Sequence, residues 1–349
     1  MGIQSWQRRR RFSAGVRSLG RRRRFRVVVG ALSALSVLAC STAASDATPG
    51  PLPPPPKIGG CPIFPSTNAW NQPVNRLPVA RNSHAVIDSI GGTTSIFASF
   101  GSGTYDGSLV GLPYVVMRTR GKKSMFSSVT FDYASSSDRG PYPIPAHIPI
   151  EGAPDHANSG DRHAIIVDLS TCRLYELYKL RWASTHWAAG SGAIWSLRSN
   201  ALRPEGLTSA DAAGLPILPG LARWAGDAST GVIRHALRFS APHTDRSYVF
   251  PARHLASNDR SANLPPMGTR VRLKASVDIS HLPPQARMVA EAMKTYGLVL
   301  ADNGNPWHVF GAPSSHWSND QLKALGTLHG SDFEVVDTSS LRAQMTGGN

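Results

Sequence analysis

Cysteine is scarce in this chain, three residues in 349, and no two of them form a CxxC pair, which argues against a zinc ribbon or a dithiol redox centre. Several catalytic signatures are missing as well. There is no GxSxG elbow, no HExxH, no P-loop and no GxGxxG opening a helix. These absences weigh against a serine hydrolase of the common fold, a zincin, an NTPase and a dinucleotide oxidoreductase. Cys172 lacks the Ser-His-Gly-Cys context of an L,D-transpeptidase, so cysteine catalysis falls too. No residue pattern calls for a metal or another cofactor. Acids are few, 22 Asp plus Glu against 37 Lys plus Arg, and no apolar run reaches the roughly 20 residues that a helix needs to span a bilayer.

The basic excess is uneven. Residues 1–39 hold ten arginines and no acid, which leaves 27 basic and 22 acidic side chains in the remainder, about +5. No later segment interleaves a basic stripe with aromatics, so no nucleic-acid partner is expected. Arginine blocks followed by the 13 uncharged residues 27–39 have the form of an export signal peptide. Within it, Arg22-Arg23-Arg24-Phe25-Arg26-Val27 carries the spacing of a twin-arginine signal, although an ordinary arginine-rich secretory leader explains the same residues. Val37-Leu38-Ala39-Cys40 has the form of a bacterial lipobox, which makes Cys40 the expected lipidation site and that lipid the only membrane contact. Cleavage within residues 41–44, giving a free secreted protein, is the alternative. Cysteine parity favours the lipid, because it leaves Cys61 and Cys172 as an even pair for one disulfide in an oxidising compartment.

Residues 40–60 are rich in Pro, Ser and Ala, end in Pro53-Pro54-Pro55-Pro56, and read as an extended tether. Residues 61–337 follow without a second linker and suit a single globular domain, with residues 338–349 as a flexible tail. Short β-branched or aromatic runs at 110–117, 128–133, 163–168, 173–178, 194–197, 233–239, 247–250, 270–275 and 299–301 predict strands, with 163–168 and 173–178 joined as a hairpin. Helices are expected at 209–213, 284–296 and 319–325. The expected fold is mainly β, a β-sandwich or jelly-roll-like core with a few peripheral helices.

The runs Gly160-Asp161-Arg162-His163, Ser191-Gly192-Ala193-Ile194-Trp195, Ser199-Asn200-Ala201-Leu202-Arg203-Pro204 and Thr208-Ser209-Ala210-Asp211-Ala212-Ala213-Gly214-Leu215-Pro216 stand out. With them go His235-Ala236-Leu237-Arg238-Phe239, Pro265-Pro266-Met267-Gly268 and Leu300-Ala301-Asp302-Asn303-Gly304. Together they make the chain resemble a family of secreted microbial proteins over nearly its whole mature length. The family brings no assigned reaction and no catalytic residues, so the resemblance implies export and nothing of mechanism.

The candidate chemistry lies in acids and histidines at strand ends. Asp161 and His163 are two apart, hence on one face of an extended segment, and Glu176 lies across the predicted hairpin. On a cleft face this group supplies a general acid and base, Asp161 with Glu176, and imidazoles at His163 and His235 as ligands or proton shuttles. The structural alternative makes Asp161 a turn cap, His163 and His235 hydrogen-bonded core residues and Glu176 a solvated strand position. A second polar set contains Asp211, Arg238, Arg253, His254 and Asp302; Asp211 reads mainly as a helix N-cap and Asp302 as a turn residue. Trp187, Trp195, Tyr178 and Arg238 are the expected substrate contacts, because sugar rings pack their CH faces on aromatics. The expectation is an exported, lipid-anchored glycoside hydrolase or polysaccharide lyase whose partner is an extracellular or envelope glycan. The alternative is a non-catalytic carbohydrate-binding module.

Overall fold

The computed structural model describes residues 52–152 and 160–346. The leader, Cys40 and most of the tether lie outside the described residues. The chain divides into residues 1–49 and 50–349, and every element below belongs to the second unit. In chain order its principal strands are β1 (Phe97–Ser99), β2 (Tyr114–Met117), β3 (Val129–Phe131), β4 (Ala164–Asp168), β5 (Arg173–Tyr178), β6 (Arg181–Ala183) and β7 (His186–Ala189). They continue with β8 (Ser191–Ser196), β9 (Leu237–Ala241), β10 (Arg270–Leu273), β11 (Leu298–Asn303), β12 (His308–Phe310) and β13 (Phe333–Val335). The helices are α1 (Ser83–Gly91), α2 (Pro284–Thr295), α3 (Asn319–Lys323) and α4 (Ser339–Thr346).

The fold is mainly β. A six-stranded sheet runs β13-β10-β11-β9-β12-β1, a four-stranded sheet β8-β5-β4-β2 and a three-stranded sheet β6-β7-β3. A jelly-roll order is not displayed by these sheets: it is built from antiparallel ladders, whereas β2–β4, β3–β7, β9–β11 and β1–β12 pair in parallel.

The hairpin β4–β5 shows why the sheets stack as they do. All five residues of β4 are buried, the pattern of a strand covered on both faces. Side chains alternate across it, so Ile165, Val167 and Leu174 enter the large core while Ala164, Ile166, Tyr175 and Leu177 enter a smaller one. Glu176 pairs with Ile165 and therefore points into the large core's side. The turn is held by Asp168, whose carboxylate accepts from the hydroxyls of Thr119 (2.7 Å) and Thr171 (2.6 Å), and by the Cys61–Cys172 disulfide.

Helix α2 forms where 284–296 predicts it. Pro284 opens it, Ala286, Val289, Ala290 and Met293 are buried, and Gly297 adopts φ 72° where a Cβ would collide with the Val271 carbonyl. Five expectations change. Residues 209–213 make a turn instead of a helix, because the Ser209 hydroxyl accepts from the Asp211 N–H (2.9 Å) and donates to the Leu215 carbonyl (2.6 Å), competing with helical bonds. The strand expected from 233 starts at Leu237, and the one at 247–250 is a single bridge from Tyr248 to Met267. Residues 57–60, assigned to the tether, belong to the fold, since Lys57–Ile58 pairs with Cys61–Pro62. The tail contains α4, whose Leu341 is buried against Val74 and Val336.

Candidate active site

A cleft of about 470 Å³ opens where the 208–215 turn, the start of β4, the end of β5 and the end of β11 meet. That volume lies within the about 300–1,000 Å³ usual for small-ligand sites. Asp161, His163, Tyr178, Asp211 and Asp302 line it, with Tyr133 and His254 at its sides.

Beneath the cleft sits a buried ion cluster centred on Arg238. Its Nη2 lies 2.5 Å from Asp211 Oδ1 and 3.6 Å from Asp302 Oδ2, so the two carboxylates stand no farther apart than the sum of those distances. The guanidinium also covers the Phe310 ring at 4.6 Å. Asp211 is fully buried and its Oδ2 has no hydrogen-bond partner, whereas the Asp302 side chain remains 27% exposed. Burial pushes the Asp211 carboxyl up to about 7; Arg238 opposes the shift and the neighbouring Asp302 adds to it. Asp302 is raised for the same reason, with Arg238 and His163 opposing and Asp161 reinforcing. Two carboxyl groups that face each other over one cation cannot both ionise freely.

Local sequence explains how each acid reaches this place. Asp211 is carried by the turn that Ser209 holds, tied to β8 by the Ser191 hydroxyl donating to the Ser209 carbonyl (2.6 Å), and closed by Gly214 at φ 69°. Asp302 follows a register shift in which Phe239 pairs with Leu300 but Ser240 pairs with Asp302, leaving Ala301 as an inserted residue. Such bulges re-aim side chains, and here the re-aimed one is a carboxylate at the cleft.

Of the expected residues, Asp161, His163 and Tyr178 line the cleft and Glu176, His235, Arg238, Trp187 and Trp195 do not. Asp161 is exposed there and His163 buried, and Arg162 between them takes φ 46°, so the two reach one cleft without the strand alternation expected of them. Glu176 does not line the cleft. It is buried, its Oε1 accepts from the backbone N–H groups of Ile217 (2.9 Å) and Leu218 (2.8 Å), and burial pushes it up to about 7 against the pull of those amides. The carboxyl groups that line the cleft with Asp161 are Asp211 and Asp302, and the Asp161 charge adds to the upward shift of Asp302. His163 places Nδ1 2.6 Å from Glu151 Oε2 and Nε2 3.0 Å from the Ala210 carbonyl. A carbonyl only accepts, so both ring nitrogens donate and the ring is the imidazolium. Burial works against that charge, but Glu151 outweighs it and holds the pKa at about 9. A ring so committed orients the cleft and does not shuttle protons.

His235 does not line the cleft; it is buried with Nε2 3.1 Å from Asp227 and Nδ1 2.8 Å from the Ala236 carbonyl. Arg238 lies below the cleft instead of lining it. Tyr178 does line it, its ring 5.6 Å from that of His163. Trp195 is buried, with the Arg203 guanidinium 5.9 Å from its ring, and Trp187 packs edge-to-face on Trp182 in the three-stranded sheet; neither reaches the cleft. Glu151 was missed by sequence reasoning, and no local signal marks it. Among the described residues no group of three His, Cys, Asp or Glu is arranged to hold a metal ion, and no helix is long and apolar enough to cross a membrane.

No family model matches the chain, and neither a curated protein nor a solved structure shows significant similarity to it.

Proposed function

We propose that this protein is an exported glycoside hydrolase acting on an extracellular or envelope polysaccharide, with Asp302 and Asp161 as its working carboxylates. The observation that carries the reading is Asp302, a partly open carboxyl at the cleft that burial keeps protonated to higher pH than usual, with the exposed Asp161 close enough to add to the shift. Glycosidases work by dividing labour between such a pair. Asp302 donates its proton to the glycosidic oxygen as the bond to the anomeric carbon breaks, and Asp161 supplies the base or nucleophile on the other side. Arg238 and Asp211 hold Asp302 from below. The exposed Tyr133 ring at the cleft provides a stacking surface for a sugar ring, with Tyr178 beside it in the lining.

Export is part of the proposal. The disulfide is in keeping with an oxidising compartment, and lipidation at Cys40 anchors the chain to an envelope surface. Incubating the protein with a panel of bacterial and plant polysaccharides tests the reading: chain shortening is expected, and it is expected to vanish in both Asp302→Asn and Asp161→Asn. Undiminished shortening in either variant overturns the assignment.

One observation favours the binding-module alternative. Trp182 is 57% exposed and braced by Trp187 on the three-stranded sheet, away from the cleft, where it offers a flat aromatic platform. Retention on a polymer without shortening, lost in Trp182→Ala, is the outcome that selects it.

A further inference from the structure

The cleft is lined by carboxyl groups within a protein whose lysines and arginines outnumber its acids. Asp161, Asp211 and Asp302 line it, and among the described residues no lysine or arginine does. The nearby cations have partners: Arg238 holds Asp211 and Asp302, His163 holds Glu151, Arg203 pairs with Asp138 at 2.8 Å and Arg253 with Glu205 at 2.9 Å. Lys179 extends over the Tyr178 ring, 5.3 Å from its centroid, outside the lining. Within the cluster, Arg238 and His163 face five carboxyl groups, those of Glu151, Asp161, Glu176, Asp211 and Asp302. The deficit of positive charge has a specific structural expression, the buried Asp211 Oδ2 that faces no donor.

We propose that the cleft selects a glycan bearing free amino groups, an unacetylated hexosamine polymer, over a uronate polymer. The inference rests on the hydrolase reading and specifies its substrate class. A sugar ring stacked on Tyr133 or Tyr178 brings its equatorial substituents against the aspartates. An ammonium there meets the exposed Asp161 carboxylate and the partly open Asp302, whereas a uronate carboxylate finds no lysine or arginine in the described lining. The same reasoning sets hydrolysis above elimination at this site, because a lyase must neutralise its substrate's carboxylate with a cation, and the cation of the described lining, the His163 imidazolium, is already paired with Glu151.

The test is calorimetric titration of the full chain with three hexamers, of glucosamine, N-acetylglucosamine and galacturonate, at mildly acidic pH where the amines are protonated. Chain shortening of each is scored separately. The glucosamine hexamer is expected to bind about tenfold tighter than its acetylated counterpart, the contribution of one partly screened charge pair. The preference is expected to shrink several-fold in Asp161→Asn, a surface substitution that leaves the buried cluster intact, and to weaken with added salt. Equal or tighter binding of the acetylated or uronate hexamer, or binding of none of the three, overturns the proposal. A glucosamine hexamer that binds selectively but stays intact sinks the hydrolase reading and leaves the selectivity standing. Shortening of the acetylated or uronate hexamer with the amino hexamer spared does the reverse.

Discussion

Two acid–base clusters lie buried in this fold, built from the same residue types, and one faces a cleft while the other does not. In the closed cluster Asp227 Oδ2 is shared by Arg223 at 2.7 Å and His235 at 3.1 Å, and all three side chains are at most 1% exposed. In the open cluster Arg238 is similarly buried, but one of its two aspartates reaches solvent and the other keeps an oxygen without a partner. A buried ion pair is thus not in itself a sign of chemistry. What separates the two is whether every acceptor is used within the protein. The closed cluster ties the Leu218–Gly220 turn region to the segment before β9, since Arg223 also donates to the Leu221 carbonyl, whereas the open one leaves reactive capacity directed at a cleft.

The sharpest way to break this comparison is to remove one aspartate from each cluster. Asp302→Asn is expected to lower polysaccharide cleavage by about 10²- to 10⁴-fold, the usual contribution of a general acid, with its melting curve nearly superimposable on that of the parent. Asp227→Asn is expected to behave oppositely, losing about 3–5 kcal/mol of stability because Arg223 is left as an uncompensated buried charge. Turnover per folded molecule should hold in that variant. If Asp302→Asn unfolds and Asp227→Asn is inactive but stable, the roles of the two clusters are exchanged.

Glu176 sharpens the contrast at a smaller scale. Glu176→Gln is expected to cost about 1–3 kcal/mol, since the acceptor for two backbone amides is impaired, and to leave turnover per folded molecule unchanged. Its pH behaviour carries more information. A carboxyl raised from 4.5 to about 7 on folding binds more protons in the native than in the unfolded state, so stability falls as pH climbs through that interval. His163, raised from 6.5 to about 9, contributes stability that is complete below 6.5 and lost as pH rises through about 9. Glu151 acts from the other side: burial works against its charge, the His163 partner prevails and lowers it, and its contribution is lost as pH falls below the ordinary carboxylate range. Melting temperature is therefore expected to peak at about pH 4 to 5, between the loss of the Glu151 contribution below that range and the loss of the Glu176 and Asp211 contributions above it, and to decline toward alkaline pH. Glu176→Gln should flatten the limb between 4.5 and about 7 and leave the later limb; a profile unchanged by that substitution contradicts the shift. The smallest effect is expected for Trp182→Ala, within about 0.5 kcal/mol of the parent in stability, and without influence on cleavage if the cleft is the working site.

Much of the frame was legible in the sequence, because periodicity and turn chemistry act locally. The β4–β5 hairpin, the run of α2 with Gly297 beyond it, and the Cys61–Cys172 pairing all follow from residue types at short range or from parity. The candidate site was legible only in part. Asp161, His163 and Tyr178 line the cleft, but Glu176 and His235 turn inward to satisfy partners 41 and 8 residues away. Asp211 had been read as a helix cap, a role that disappears once Ser209 closes a turn in place of the helix.

What the sequence by itself determined is the strand-rich pattern, the alternation that assigns β4 and β5 two buried faces, and the supply of acids, histidines and aromatics. Which acids meet was decided by tertiary structure. A left-handed residue at Arg162 leaves Asp161 exposed and His163 buried at the same cleft, and a one-residue register shift at Ala301 turns Asp302 to it. Arg238, on β9, draws together Asp211 from a turn 27 residues before it and Asp302 from the end of β11, 64 residues after it. Alternation along a strand specifies a face but not its partner, and electrostatic pairing over such distances exists only after the chain has closed its core.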